Sequence, residues 1–87
     1  MSDDSVIDFP QAFPIKIVGE SGNGFDEHVL GLLQPFVEDS ARLEFTRTDS
    51  RTGRYVSLTV TVMARSREQL DGIYQALTDS PRVLFSL

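Results

Sequence analysis

Few residues in this chain could carry chemistry. Lys16 is the only lysine, His28 the only histidine, and cysteine is absent from the 87 residues. Without thiols there are no disulfides, thiolate nucleophiles, iron–sulfur clusters or thiolate zinc sites, which leaves oxygen and nitrogen chemistry. His28 follows Asp26 and Glu27, but neighbours on a helix point in different directions and cannot close a metal shell or a proton relay. An exposed histidine is therefore expected. Ser57 has no base within reach, because the only histidine falls on a helix across the sheet, so no serine–histidine pair is expected. Lys16 stands between Ile15 and Ile17 within a strand, whereas a carrier lysine needs an exposed turn tip. It reads as a surface lysine that could contact a carboxylate. No catalytic residue, metal or cofactor is expected, and the chain reads as a non-enzyme.

Two places remain where a ligand could sit. The loop Gly19-Glu20-Ser21-Gly22-Asn23-Gly24 joins a strand to a helix, and such a loop can offer backbone N–H groups to an anion. It lacks the spacing of a phosphate-binding or dinucleotide fingerprint, and Glu20, Asp26 and Glu27 surround it with negative charge. The second place is one face of the expected sheet, where Lys16, Val18, Tyr55, Ser57, Thr59, Thr61 and Met63 form the candidate ligand-binding set, bordered by Arg42 and Leu84. This face carries a ladder of hydroxyls with few aromatics. RNA-binding sheets stack bases on exposed aromatic rings; here only Tyr55 offers one, so nucleic acid is not an expected partner.

Composition agrees. Thirteen acidic residues against eight basic ones give a net charge of −5, which repels phosphate backbones at long range. A chain of this length forms one domain with one core. Residues 1–11 form an acidic segment in which Val6, Ile7 and Phe9 could lie as an arm on the body, and residues 12–87 form the domain. The start of the chain has neither a basic region nor an apolar run of signal-peptide length, and no stretch reaches the ~20 apolar residues of a membrane helix. A cytoplasmic protein without membrane contact is the expectation.

The elements that position these residues follow from periodicity. Residues 13–18 alternate as a strand, with Phe13, Ile15 and Ile17 inward and Pro14 placed at its beginning. Phe25, Val29, Leu32, Leu33 and Phe36 recur at helical spacing, which predicts a helix over 25–38 whose last turn is kinked by Pro35. Residues 42–48 form a charged edge strand with Leu43 and Phe45 inward, and residues 49–53 form a hairpin turn. Residues 55–64 alternate Val56, Leu58, Val60, Val62 and Ala64 with Tyr55, Ser57, Thr59, Thr61 and Met63. Ser66 and Gln69 match a capping box, so a second helix starts at Arg67 and presents Leu70, Ile73, Tyr74 and Leu77. Asp79-Ser80-Pro81 stops it, and a strand over 82–87 turns Val83 and Phe85 inward. The order is β-α-β-β-α-β. Right-handed crossovers then put both helices on one face of a four-stranded antiparallel sheet, a ferredoxin-like α+β two-layer sandwich.

Phe9-Pro10, the strand Phe13-Pro14-Ile15-Lys16-Ile17-Val18-Gly19, and the spaced set Ser50, Gly53, Tyr55, Ser57, Thr59, Thr61 and Ala64 resemble the bacterial YbeD-like proteins. The likeness continues through Glu68-Gln69 and Tyr74 to Leu87, across nearly the whole chain. This sequence departs from it in Pro35 and in its single lysine. The resemblance implies a ferredoxin-like fold akin to ACT regulatory domains, in which small ligands bind at the loop after the first strand. It also implies a noncatalytic regulatory role with lipoate or a similar small acid as ligand, without assigned site residues. A partner-protein adaptor, acting through the open sheet face or as a homodimer, is the alternative.

Overall fold

The computed structural model describes residues 9–38 and 43–87. The element order is β1 (Gln11–Glu20), α1 (Phe25–Leu33), β2 (Glu44–Asp49), β3 (Tyr55–Ala64), α2 (Arg67–Asp79) and β4 (Val83–Ser86). All pairings are antiparallel in the order β2-β3-β1-β4. This is the expected ferredoxin-like sandwich, with the two most apolar strands in the centre. Val6, Ile7 and Arg42 lie outside the described residues, while Phe9 packs against the core and β1 begins at Gln11, opposite Ala64.

The alternation in β3 is what makes the sheet two-faced. Val56, Leu58, Val60, Val62 and Ala64 are buried with Ile15 and Ile17 of β1, Phe25, Val29 and Leu33 of α1, and Leu70, Ile73 and Leu77 of α2. Removing each of these side chains larger than alanine from water contributes about 1.5–3 kcal/mol.

Several expectations are corrected. Pro14 is the fourth residue of β1 and not its first. Hydrogen-bonded pairs alternate along an antiparallel ladder. Lys16 exchanges both backbone bonds with Leu87, and Ser21 N donates to Arg54 O. By that alternation the nitrogen of Pro14 faces the β4 side, beyond the Lys16–Leu87 pair, where no described residue pairs with β1. The first helix ends at Leu33 and not at Glu38, followed by a 3-10 turn over Gln34–Phe36, because Pro35 has no N–H for the Gly31 carbonyl. Phe45 is 41% exposed: it lies opposite Val60 on the helix side of the sheet, but on an edge strand with a neighbour on one side only. Phe85 is turned outward. It pairs with Val18 of the open face, while a bulge brings Val83 opposite Gly19 on the helix side.

The Ser66 cap is present, with Ser66 Oγ accepting from Gln69 N at 3.1 Å. Its reciprocal half differs from a capping box. Gln69 Oε1 accepts from Arg65 N at 2.6 Å, and Gln69 Nε2 donates to Phe36 O at 2.8 Å. The amide thus ties the start of α2 to the end of the 3-10 turn.

Candidate functional site

The register gathers the sequence-predicted set on the open face. Lys16 stands opposite Thr59, Val18 opposite Ser57, Pro14 opposite Thr61, Ala12 opposite Met63 and Glu20 opposite Tyr55. Phe85 and Leu87, both more than half exposed, join Val18 and Lys16 at the β4 side. The face is shared but shallow. A hollow of about 130 Å³ at the hairpin end touches two members of the set, Tyr55 and Ser57. Lys16, Thr59 and Thr61 line none of the hollows described for residues 9–38 and 43–87.

The more enclosed concavity lies at the sheet end, between the loop after β1 and the entry to β4. It has a volume of about 380 Å³ and is lined by Glu20, Ser21, Gly22, Asn23, Pro81, Arg82 and Leu84. Local sequence explains the loop's shape. Gly22, Asn23 and Gly24 have φ of 94°, 54° and 66°, a left-handed run that glycine and asparagine adopt at least cost. Gly19, just before it, has no room for a methyl group, which would run into the Phe25 ring and the Arg82 carbonyl.

Four hydrogen bonds hold this loop. Ser21 donates from its backbone N to Arg54 O and from its hydroxyl to Gly53 O, both in the β2–β3 hairpin. Arg82 closes the other side: one guanidinium nitrogen donates to Asn23 O at 2.9 Å and to Gly22 O at 3.2 Å. The guanidinium also lies 5.9 Å from the centroid of the Phe25 ring, within cation–π range. Arg82 is therefore a positioned cation at the edge of a groove. Its Nη2 is committed to the loop carbonyls. Both bidentate edges of a guanidinium include Nη2, so a carboxylate in the groove would be met singly by the N–H groups of Nε or Nη1, on a guanidinium of fixed orientation. Pro81 and Leu84 supply the apolar part of the lining. Sequence reasoning placed Arg82 in a strand and gave it no role; its signal was only that it follows the helix-stopping Ser80-Pro81.

His28 departs from expectation. It is half-buried, and its Nε2 lies 2.9 Å from Ser80 Oγ. The fold thus contains a serine–histidine pair, although not with Ser57. Ser80 is only 7% exposed, and its hydroxyl also accepts from Arg82 N at 3.3 Å. So enclosed a hydroxyl serves to join α1 to the start of β4. The link was hidden in the sequence because the two residues are 52 positions apart.

Among the described residues, no group of three or more His, Cys, Asp or Glu side chains could hold a metal ion, and no helix is long and apolar enough to cross a membrane.

Comparison with known proteins gives one consistent relationship. Residues 4–87 match the family described as "Protein of unknown function (DUF493)". A UPF0250 protein of Nitrosomonas europaea is 44% identical over 87 residues, covering all of both chains. One from Paraburkholderia phytofirmans is 49% identical over 92% of this chain and 90% of its own. One from Neisseria gonorrhoeae is 39% identical over 85% and 81%.

Proposed function

Because the chain belongs to the DUF493 family of UPF0250 proteins, whose shared description names no activity, we propose a function from the site itself: a noncatalytic regulatory module that binds a small carboxylic acid in the Arg82 groove. The observation that carries this reading is the fixed Arg82 guanidinium, held by Gly22 O, Asn23 O and the Phe25 ring beside a concavity of about 380 Å³. In a chain of net charge −5, a positioned arginine gives an acid a local partner where the overall field would repel it. Leu84 and Pro81 offer an aliphatic tail a place to lie.

The candidate ligand site thus moves from the open sheet face to the loop end of the sheet. Lys16, Val18, Thr59 and Thr61 become a surface. Exposed Phe85 and Leu87 beside Val18 support a second reading, a partner-protein adaptor docking on that surface. The two readings differ in what stabilises the fold. A ligand at 100 times its dissociation constant adds about 2.7 kcal/mol, which raises the melting temperature of so small a domain by many degrees. A thermal-melt screen against lipoate, octanoate, amino acids and nucleotides tests this. A saturable shift from an acid that disappears in Leu84→Asp supports the groove. No shift from any of them contradicts it and favours the adaptor.

A further inference from the structure

Among the described residues, β2 is an edge strand whose outer side pairs with no other strand. Its ladder with β3 runs without a break from Glu44 opposite Thr61 to Asp49 opposite Val56. Natural edges are guarded by proline, lysine, bulges or outward charges. Glu44–Asp49 contains neither proline nor lysine, and its register has no bulge; its guards are the charges of Glu44, Arg47 and Asp49, which are of both signs and so permit some pairings and oppose others. Its one cation is drawn back from the edge: Arg47 Nη1 donates to Asp26 Oδ1 of α1 at 2.6 Å, and Arg47 Nε to Asp49 Oδ1 at 3.3 Å.

The outward groups can be assigned. Ser50 N donates to Tyr55 O, so by alternation Thr48, Thr46 and Glu44 bond to β3, while Phe45, Arg47 and Asp49 direct their N–H and C=O groups away from it. Only some self-pairings avoid opposing like charges. With Arg47 opposite its own copy, two guanidinium groups meet. With Thr46 opposite its own copy, Phe45 faces Arg47, Glu44 faces Thr48, and about four backbone hydrogen bonds form between the chains from groups that β3 leaves free. Phe45, exposed at this edge, is then covered by the stem of the facing Arg47.

We infer that β2 pairs antiparallel with β2 of a second copy of this chain about a twofold axis at Thr46, giving a continuous eight-stranded sheet. The contact is isologous, as a closed dimer requires, and leaves the Arg82 groove and the open face free.

Light scattering coupled to size exclusion, run over a concentration series of the full chain, tests it. The expected mass rises from 9.7 kDa towards about twice that value. Phe45→Pro removes an outward N–H that β3 does not use, and should hold the mass at the monomer. Phe85→Lys, on the open face, should leave the dimer intact. A monomer at every concentration overturns the inference, as does a dimer that survives Phe45→Pro or is dissolved by Phe85→Lys. Amide exchange gives a readout needing no variant: the Phe45 and Arg47 amides should slow with concentration, and unchanged rates overturn it.

Discussion

His28 Nε2 sits 2.9 Å from Ser80 Oγ, so the chain's only histidine fastens the middle of the first helix to the residue that ends the second. Ser80 Oγ in turn accepts from Arg82 N. The position of the groove's cation therefore depends on a contact made on the far side of its own turn.

Ser80→Ala deletes that hydroxyl and leaves the half-buried imidazole and the Arg82 amide each short of a partner. A stranded polar group of this kind costs about 1–3 kcal/mol. Chemical denaturation should show a lowered midpoint with an unchanged slope, and Ser80→Thr should recover part of the loss.

Gly19→Ala puts a methyl group against the Phe25 ring and the Arg82 carbonyl. Overpacking of this sort costs about 1–3 kcal/mol. Because Arg82 lines the groove and the Phe25 ring lies against its guanidinium, ligand affinity should fall together with the melting temperature. Gly31→Ala, with open space around the added atom, should raise the melting temperature or leave it unchanged.

Tyr74 gives a pH dependence. Burial pushes its phenol above its ordinary value near 10, because the charged form is disfavoured away from water. The sign follows from linkage: the unfolded chain releases this proton first as pH rises. The contribution is complete below pH 10 and is lost as pH climbs from there through the folded-state value. Melting temperatures measured from pH 9 upward should fall less steeply in Tyr74→Phe than in the unaltered chain.

Lys16→Ala should be nearly silent. Lys16 is exposed on the open face and lines no described hollow, so its loss should change stability by no more than about 0.5 kcal/mol and leave binding of an acid unaffected. A loss of binding in this variant would return the site to the sheet face.

These contrasts show what periodicity can and cannot carry. The alternation of Val56 to Ala64 against Tyr55 to Met63 fixes a face for every residue of β3, and with it the core and the membership of the open face. Ser66 marks the start of α2 because a cap is a local bond. Phe45 keeps its expected helix-side face but stays exposed because it lies on an edge, and Phe85 takes the opposite face beside a bulge, both for reasons beyond the local pattern. The groove was half legible. The glycines of the 19–24 loop announced a turn that could meet an anion, but Arg82 lies about 60 positions away in sequence. Only the return of β4 beside β1 brings it to Gly22 and Asn23, and no spacing rule connects them.

The most direct test of the account is a heteronuclear NMR titration of the full chain with an acid that raises its melting temperature. Saturable shifts are expected at Ser21, Gly22, Asn23, Arg82 and Leu84, with Lys16, Thr59 and Thr61 unmoved. Shifts centred on Lys16, Thr59 and Thr61 with a silent loop would contradict it and place the ligand on the open sheet face.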